Sequence, residues 1–165
     1  LPPLEVNSAH KAIQHALFEY SMLPDDMSYS IDLMKKCAEY IVLIKSFVGI
    51  ENSYYLDIST KIVNSVLSNV IDVVNSTLSD ETNSFDEVRI VLKTAWKAIL
   101  YMDKFDMESS FRSDRYNVNR KSLYNIIAKA KGFEDPSLSY MYTYGCGFCY
   151  DIDVSDLDLR NKKLK

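Results

Sequence analysis

Apolar residues recur every three to four positions through most of the chain and alternate only near its end. In Asp25 to Val48, Met27, Ile31, Met34, Cys37 or Ala38, Ile41, Ile44 and Val48 fall on one face of a helix. At about 1.5 Å per residue such a helix is roughly 35 Å long, the width of a small domain. Before it, Leu1 to Val6 reads as an extended lead-in because its prolines fix φ and lack donors. Asn7 or Ser8 can then cap a first helix with the stripe Ala9, Ala12, Ile13, Ala16, Leu17 and Tyr20. Leu23-Pro24-Asp25-Asp26 separates the two helices and places acidic residues where a helix N-terminus favours them. Gly49 is the expected end of the second.

A third helix is expected from Ser53 to Leu78, with Leu56, Ile62, Val63, Val66, Leu67, Val70, Ile71 and Val74 inward. Its many β-branched residues would also suit strands, but the polar residues interleaved among them follow the helical period. Ser84-Phe85-Asp86-Glu87 is a capping box for a fourth helix. That helix carries Phe85, Val88, Val91, Leu92, Ala95, Trp96, Ile99, Leu100 and Met102, and its apolar character predicts a place at the middle of the bundle. Asp103 to Tyr116 reads as a loop or one short helical turn. A fifth helix, capped by Asn117 or Asn119, is expected to run to Lys131, with Leu123, Ile126, Ile127 and Ala130 inward and Gly132 closing it.

The period then becomes two. Residues alternate in Leu138 to Tyr144 and in Phe148 to Val154, with Gly145-Cys146-Gly147 between them, which is the pattern of a β-hairpin. A lone hairpin is marginal in water, so it must lean on the helices. The expected fold is therefore mainly α, one domain over residues 1–165. It comprises a bundle of about five helices at 7–132, a tyrosine-rich hairpin or irregular segment at 133–159, and a frayed basic tail at 160–165.

Composition narrows the functional classes. With 47% hydrophobic and 25% charged residues the chain is globular in character. A net charge of -4 argues against a nucleic-acid partner, which needs a cationic field. Lys45 and Asp72 interrupt the best apolar runs, so no membrane span is expected. The start, Leu1-Pro2-Pro3-Leu4, reads as the product of signal-peptide removal or of trimming, and removal is the expectation taken here, implying a secreted protein.

The glycines all fall at predicted element ends, leaving no phosphate-cradling loop. His10 and His15 lie about 140° apart on a helix, so they cannot bind one metal from the same face. No Ser/His/Asp or Cys/His grouping stands out, and Asp151 to Asp158 lacks the glycine and glutamate of a calcium loop. No cofactor, metal site or enzymatic activity is expected.

Cys146-Gly147-Phe148-Cys149 has C-x-x-C spacing but none of the strand-to-helix context of a redox enzyme. The candidate disulfide joins Cys37 to Cys146 or Cys149, which would staple the hairpin to the long helix. A bridge between Cys146 and Cys149 and a reduced, buried Cys37 are the competing arrangements. Asn75-Ser76-Thr77 is a candidate glycosylation site. Tyr140, Tyr142, Tyr144, Phe148 and Tyr150 form a candidate contact surface, although packing of these rings onto the helices is the plainer expectation.

Cys37-Ala38-Glu39-Tyr40 and Cys146-Gly147-Phe148-Cys149-Tyr150 resemble the cysteine–tyrosine motifs of aphid salivary effectors, a resemblance confined to these short stretches that transfers no function. The leading expectation is a secreted, non-enzymatic, effector-like virulence protein, salivary, parasitic or viral, that acts by binding another protein. The alternatives are a carrier of a small apolar ligand lined by Met34, Ile41, Trp96, Ile99 and Met102, and a structural assembly module.

Overall fold

The computed structural model describes residues 3–128 and 163–165. Four long helices come first: α1 Leu4–Ser21, α2 Met27–Val48, α3 Ser53–Ser79 and α4 Phe85–Met102. A last helical path, α5, opens with Ser109–Phe111, passes through a π-helical stretch Arg112–Tyr116, and continues as Asn117–Ala128. The protein is mainly helical, and no strand occurs among the described residues. The hairpin expected within 138–154 lies outside them.

α2 packs against α1, α3 and α4, while α4 packs against α2, α3 and α5. The centre of the bundle is thus shared, and α2 is as central as the Trp-bearing helix. Ile62, Val63, Val66, Leu67, Val70 and Val74 of α3 have no exposed surface. This burial explains why a segment rich in β-branched residues is helical: packing against α2 and α4 outweighs a propensity difference of a few tenths of a kcal/mol per residue.

The ends of the helices follow local chemistry. The Asp26 carboxylate accepts from the Ser28 N–H at 2.9 Å, and the Asn52 side chain accepts from the Tyr55 N–H at 3.1 Å. At α4 the predicted capping box forms, with the Glu87 N–H on Ser84 Oγ at 3.1 Å and the Ser84 N–H on Glu87 Oε2 at 2.7 Å. Gly49 closes α2 at φ 87°, a backbone conformation that glycine alone adopts without strain.

The structure differs from the sequence reading in three places. α1 begins at Leu4, with Pro3 in the capping position and Val6 fully buried, so the expected extended lead-in is helix from Leu4 onward. Phe85, expected inward, is exposed at the first position of α4, next to the Ser84 cap. The stretch 103–116, expected as a loop or one short helical turn, is helical from Ser109 onward, longer than one turn, and buries Phe105, Met107 and Tyr116. Further on, the described end of the expected frayed tail is held in place, with Leu164 only 4% exposed and within the same apolar cluster as the helices.

Candidate functional site

The corner between α1 and α2 forms an apolar groove. α1 stops at Ser21, whose hydroxyl donates to the Phe18 carbonyl at 2.6 Å, and the Leu23 N–H closes back on the Tyr20 carbonyl at 3.1 Å. Pro24 then turns the chain into the Asp26 cap. This tight reversal leaves Phe18 and Met22 on the outer side of α1, 66% and 74% exposed, with Leu23 beside them. Together with Tyr29 and Leu33 of α2 they border an open groove of about 520 Å³, and Glu19, Asp32 and Lys36 add charge to its lining.

Behind the groove a chain of polar side chains ties three helices together. Ser30 Oγ donates to Asn69 Oδ1 at 2.7 Å, which commits its single hydrogen. Tyr20 must therefore donate its own hydroxyl hydrogen to Ser30 Oγ, at 2.6 Å. Asn69 Nδ2 in turn lies 3.4 Å from Asp25 Oδ1, a long contact. Burial pushes the Tyr20 phenol above its ordinary range, and the Asp25 charge adds to the rise. The hydroxyl of Tyr20, which lines the groove, is thus satisfied through Ser30.

Two further clusters lie around the connection after α4. Asp106 accepts from the Tyr55 hydroxyl at 2.6 Å and pairs with Lys45 at 2.9 Å, while its backbone carbonyl accepts from Ser59 at 2.6 Å. Asp103 accepts from the Tyr116 hydroxyl and from the Arg120 guanidinium, whose closest contact is 2.7 Å. The same guanidinium lies 5.0 Å from the Trp96 ring, and Trp96 lies 5.8 Å from Tyr124. These charges are spent on holding helices. Among the described residues no group of three or more His, Cys, Asp or Glu is placed to hold a metal.

The candidate residues from sequence divide between described and undescribed parts of the chain. Cys37 is buried in the core with no exposed surface. Burial pushes its thiol up to about 11, with the Lys36 charge acting the other way, so the thiol is a poor nucleophile at neutral pH. Cys146, Cys149, Tyr140, Tyr142, Tyr144, Phe148 and Tyr150 lie outside the described residues. Asn75 is half-buried on α3 and bonded to the backbone of Leu164. His15 is exposed beside Glu19 at 2.9 Å, and the His10 Nδ1 lies 2.6 Å from the Tyr54 hydroxyl. Met34, Ile41, Trp96, Ile99 and Met102 are each buried in the apolar core. No helix among the described residues is long and apolar enough to cross a membrane.

The groove went unread in the sequence although its signal was there. Phe18 and Met22 are one helical turn apart and both fall off the stripe that buries Ala9, Ile13 and their neighbours. No protein-family model, characterised protein or solved structure matches the chain.

Proposed function

We propose that the protein is a secreted, non-enzymatic effector that acts by binding another protein, and that the α1–α2 groove is its contact surface. The observation that carries this reading is the pairing of Phe18 and Met22 on the solvent side of a helix whose opposite face is already satisfied by the core. Large apolar side chains grouped at a groove mark interaction sites more often than single exposed residues do. The anchoring of Tyr20, which lines the groove, through Ser30 to Asn69 supports the reading further, because a fixed lining lowers the entropic cost of docking.

Affinity capture from host extracts, run in parallel with the unsubstituted chain and with Phe18→Glu/Met22→Glu, tests the proposal. A protein held by the first and lost by the second supports it. A partner held equally by both, or none, overturns the groove as the contact surface. The compartment has its own test in the cysteines: mass spectrometry with and without alkylation should reveal one bridge among Cys37, Cys146 and Cys149. Three free thiols would remove the bridge and, with it, much of the case for secretion.

A further inference from the structure

Residues 163–165 are held by two asparagines from two different helices. The Leu164 N–H donates to Asn75 Oδ1 at 2.8 Å, and Asn75 Nδ2 donates to the Leu164 carbonyl at 3.0 Å. One carboxamide thus reads both polar groups of a single backbone residue, the same exchange that two paired residues make between antiparallel strands. The Lys165 N–H donates to Asn119 Oδ1 at 2.6 Å, and Asn119 is itself oriented by donating its Nδ2 to the Arg115 carbonyl at 2.8 Å. Between these contacts the Leu164 side chain enters the apolar cluster, while Lys163 and Lys165 stay exposed.

We infer that this cleft between α3 and α5 is a peptide-recognition slot for an extended, leucine-bearing segment, occupied in cis by residues 163–165. The chemistry of the slot sets its selectivity. Asn75 and Asn119 bond only main-chain atoms, so they demand an extended backbone and are indifferent to its side chains. The buried position demands an apolar residue of leucine size, because a charged group there would be buried without a partner. The exposed flanking positions tolerate lysine. The slot shares no residue with the α1–α2 groove, so the two sites can fail independently.

Asn75 also begins the sequon Asn75-Ser76-Thr77. In an N-linked glycan the sugar lies on the side of Nδ2 that is syn to Oδ1, which is the hydrogen the paired geometry turns toward Leu164. Glycosylation and occupancy of the slot therefore exclude one another.

The probe is a fluorescein-labelled peptide copying residues 161–165, titrated against the full chain by fluorescence anisotropy. The Leu164→Asp chain, with its slot vacated, should bind the peptide at least about tenfold more tightly than the unsubstituted chain, whose own segment competes at a high effective concentration. Adding Asn75→Ala, or replacing the peptide's leucine by aspartate, should abolish binding. Equal binding to the unsubstituted and vacated chains, or none to either, overturns the slot. Should Leu164→Asp lose helical circular dichroism, Leu164→Ala takes its place. In the unsubstituted chain the Leu164 and Lys165 amides should exchange slowly with solvent and at least about tenfold faster in Asn75→Ala. Fast exchange without the substitution would equally overturn the inference.

Discussion

α2 and the connection from Asp103 to Tyr116 are both anchored in the interior, by opposite means. In α2 the anchoring is repetitive: Met34, Cys37, Ile41 and Ile44 succeed one another at helical spacing and all are buried. In the connection it is piecemeal: Phe105, Met107 and Tyr116 enter the core singly, and Asp103 and Asp106 reach in different directions. Asp106 is held by Lys45 and Tyr55 of the preceding helices, and Asp103 by Tyr116 and Arg120 of α5. The non-helical stretch 103–108 is thus positioned by charge-assisted hydrogen bonds, which are individually stronger than neutral ones and strict in geometry.

Removing side chains from each region is the most direct way to break this contrast. Ile44→Ala leaves a void in the core and should lower unfolding stability by about 2–5 kcal/mol in urea denaturation. Asp106→Ala removes a half-exposed acceptor and leaves the Tyr55 hydroxyl short of its partner, so the loss should be smaller, about 1–3 kcal/mol. If the two losses were reversed in order, the connection rather than α2 would be the stronger anchor.

Acid sharpens the comparison, because the buried stripe of α2 from Met34 to Ile44 is apolar whereas the connection is tied to its neighbours through the Asp106 carboxylate. Burial raises the Asp106 pKa, but the hydrogen bonds from Tyr55 and Lys45 and the charges of Lys45 and Arg112 outweigh it, and the net direction is downward. A carboxyl lowered in the folded state contributes its full stability above the unfolded value near about 4 and loses it as pH falls through the lower folded value. The stability of the unsubstituted protein should therefore fall below about pH 4 more steeply than that of Asp106→Asn.

Alkali probes the same contacts from the donor side. Burial raises the Tyr55 and Tyr116 phenols first of all, with hydrogen bonds and charge from Asp106 and Asp103 adding to it. Groups raised in the folded state contribute fully below about pH 10 and lose that contribution as pH rises toward the folded value. Phenolate absorbance should show these two tyrosines resisting ionisation until the fold gives way, whereas Tyr55→Phe should remove one of the late-titrating groups. Ser84→Ala, which touches neither region, should cost only about 1 kcal/mol through the loss of the α4 capping box. A larger effect would mean that the first turn of α4 supports the core more than the exposed Phe85 suggests.

Most of the helical framework was legible because each helix carries its own instructions. The spacing of Ile62 to Val74, the Ser84–Glu87 capping box and the glycine at position 49 all act within a few residues, and the structure follows them. Periodicity also left Cys37 or Ala38 as the inward residue of α2, and packing chose Cys37. What spacing could not convey is which polar residues would meet. Tyr55 and Asp106 are 51 positions apart, and Asn75 and Leu164 are 89 apart. Neither side chain of either pair looks unusual in its own surroundings.

The candidate site divides in the same way. That Phe18 and Met22 lie off the buried stripe is a property of the sequence, since helical geometry alone turns them outward. That they face a groove is not, because the groove exists only where the reversal at Pro24 lays α2 beside them. Local interactions along the chain determined where helices begin, end and turn their apolar faces. Only the packing of α1 to α5 decided which isolated polar groups are satisfied and where a segment such as 163–165 can dock, because those free energies belong to pairs of residues that the chain brings together only by folding.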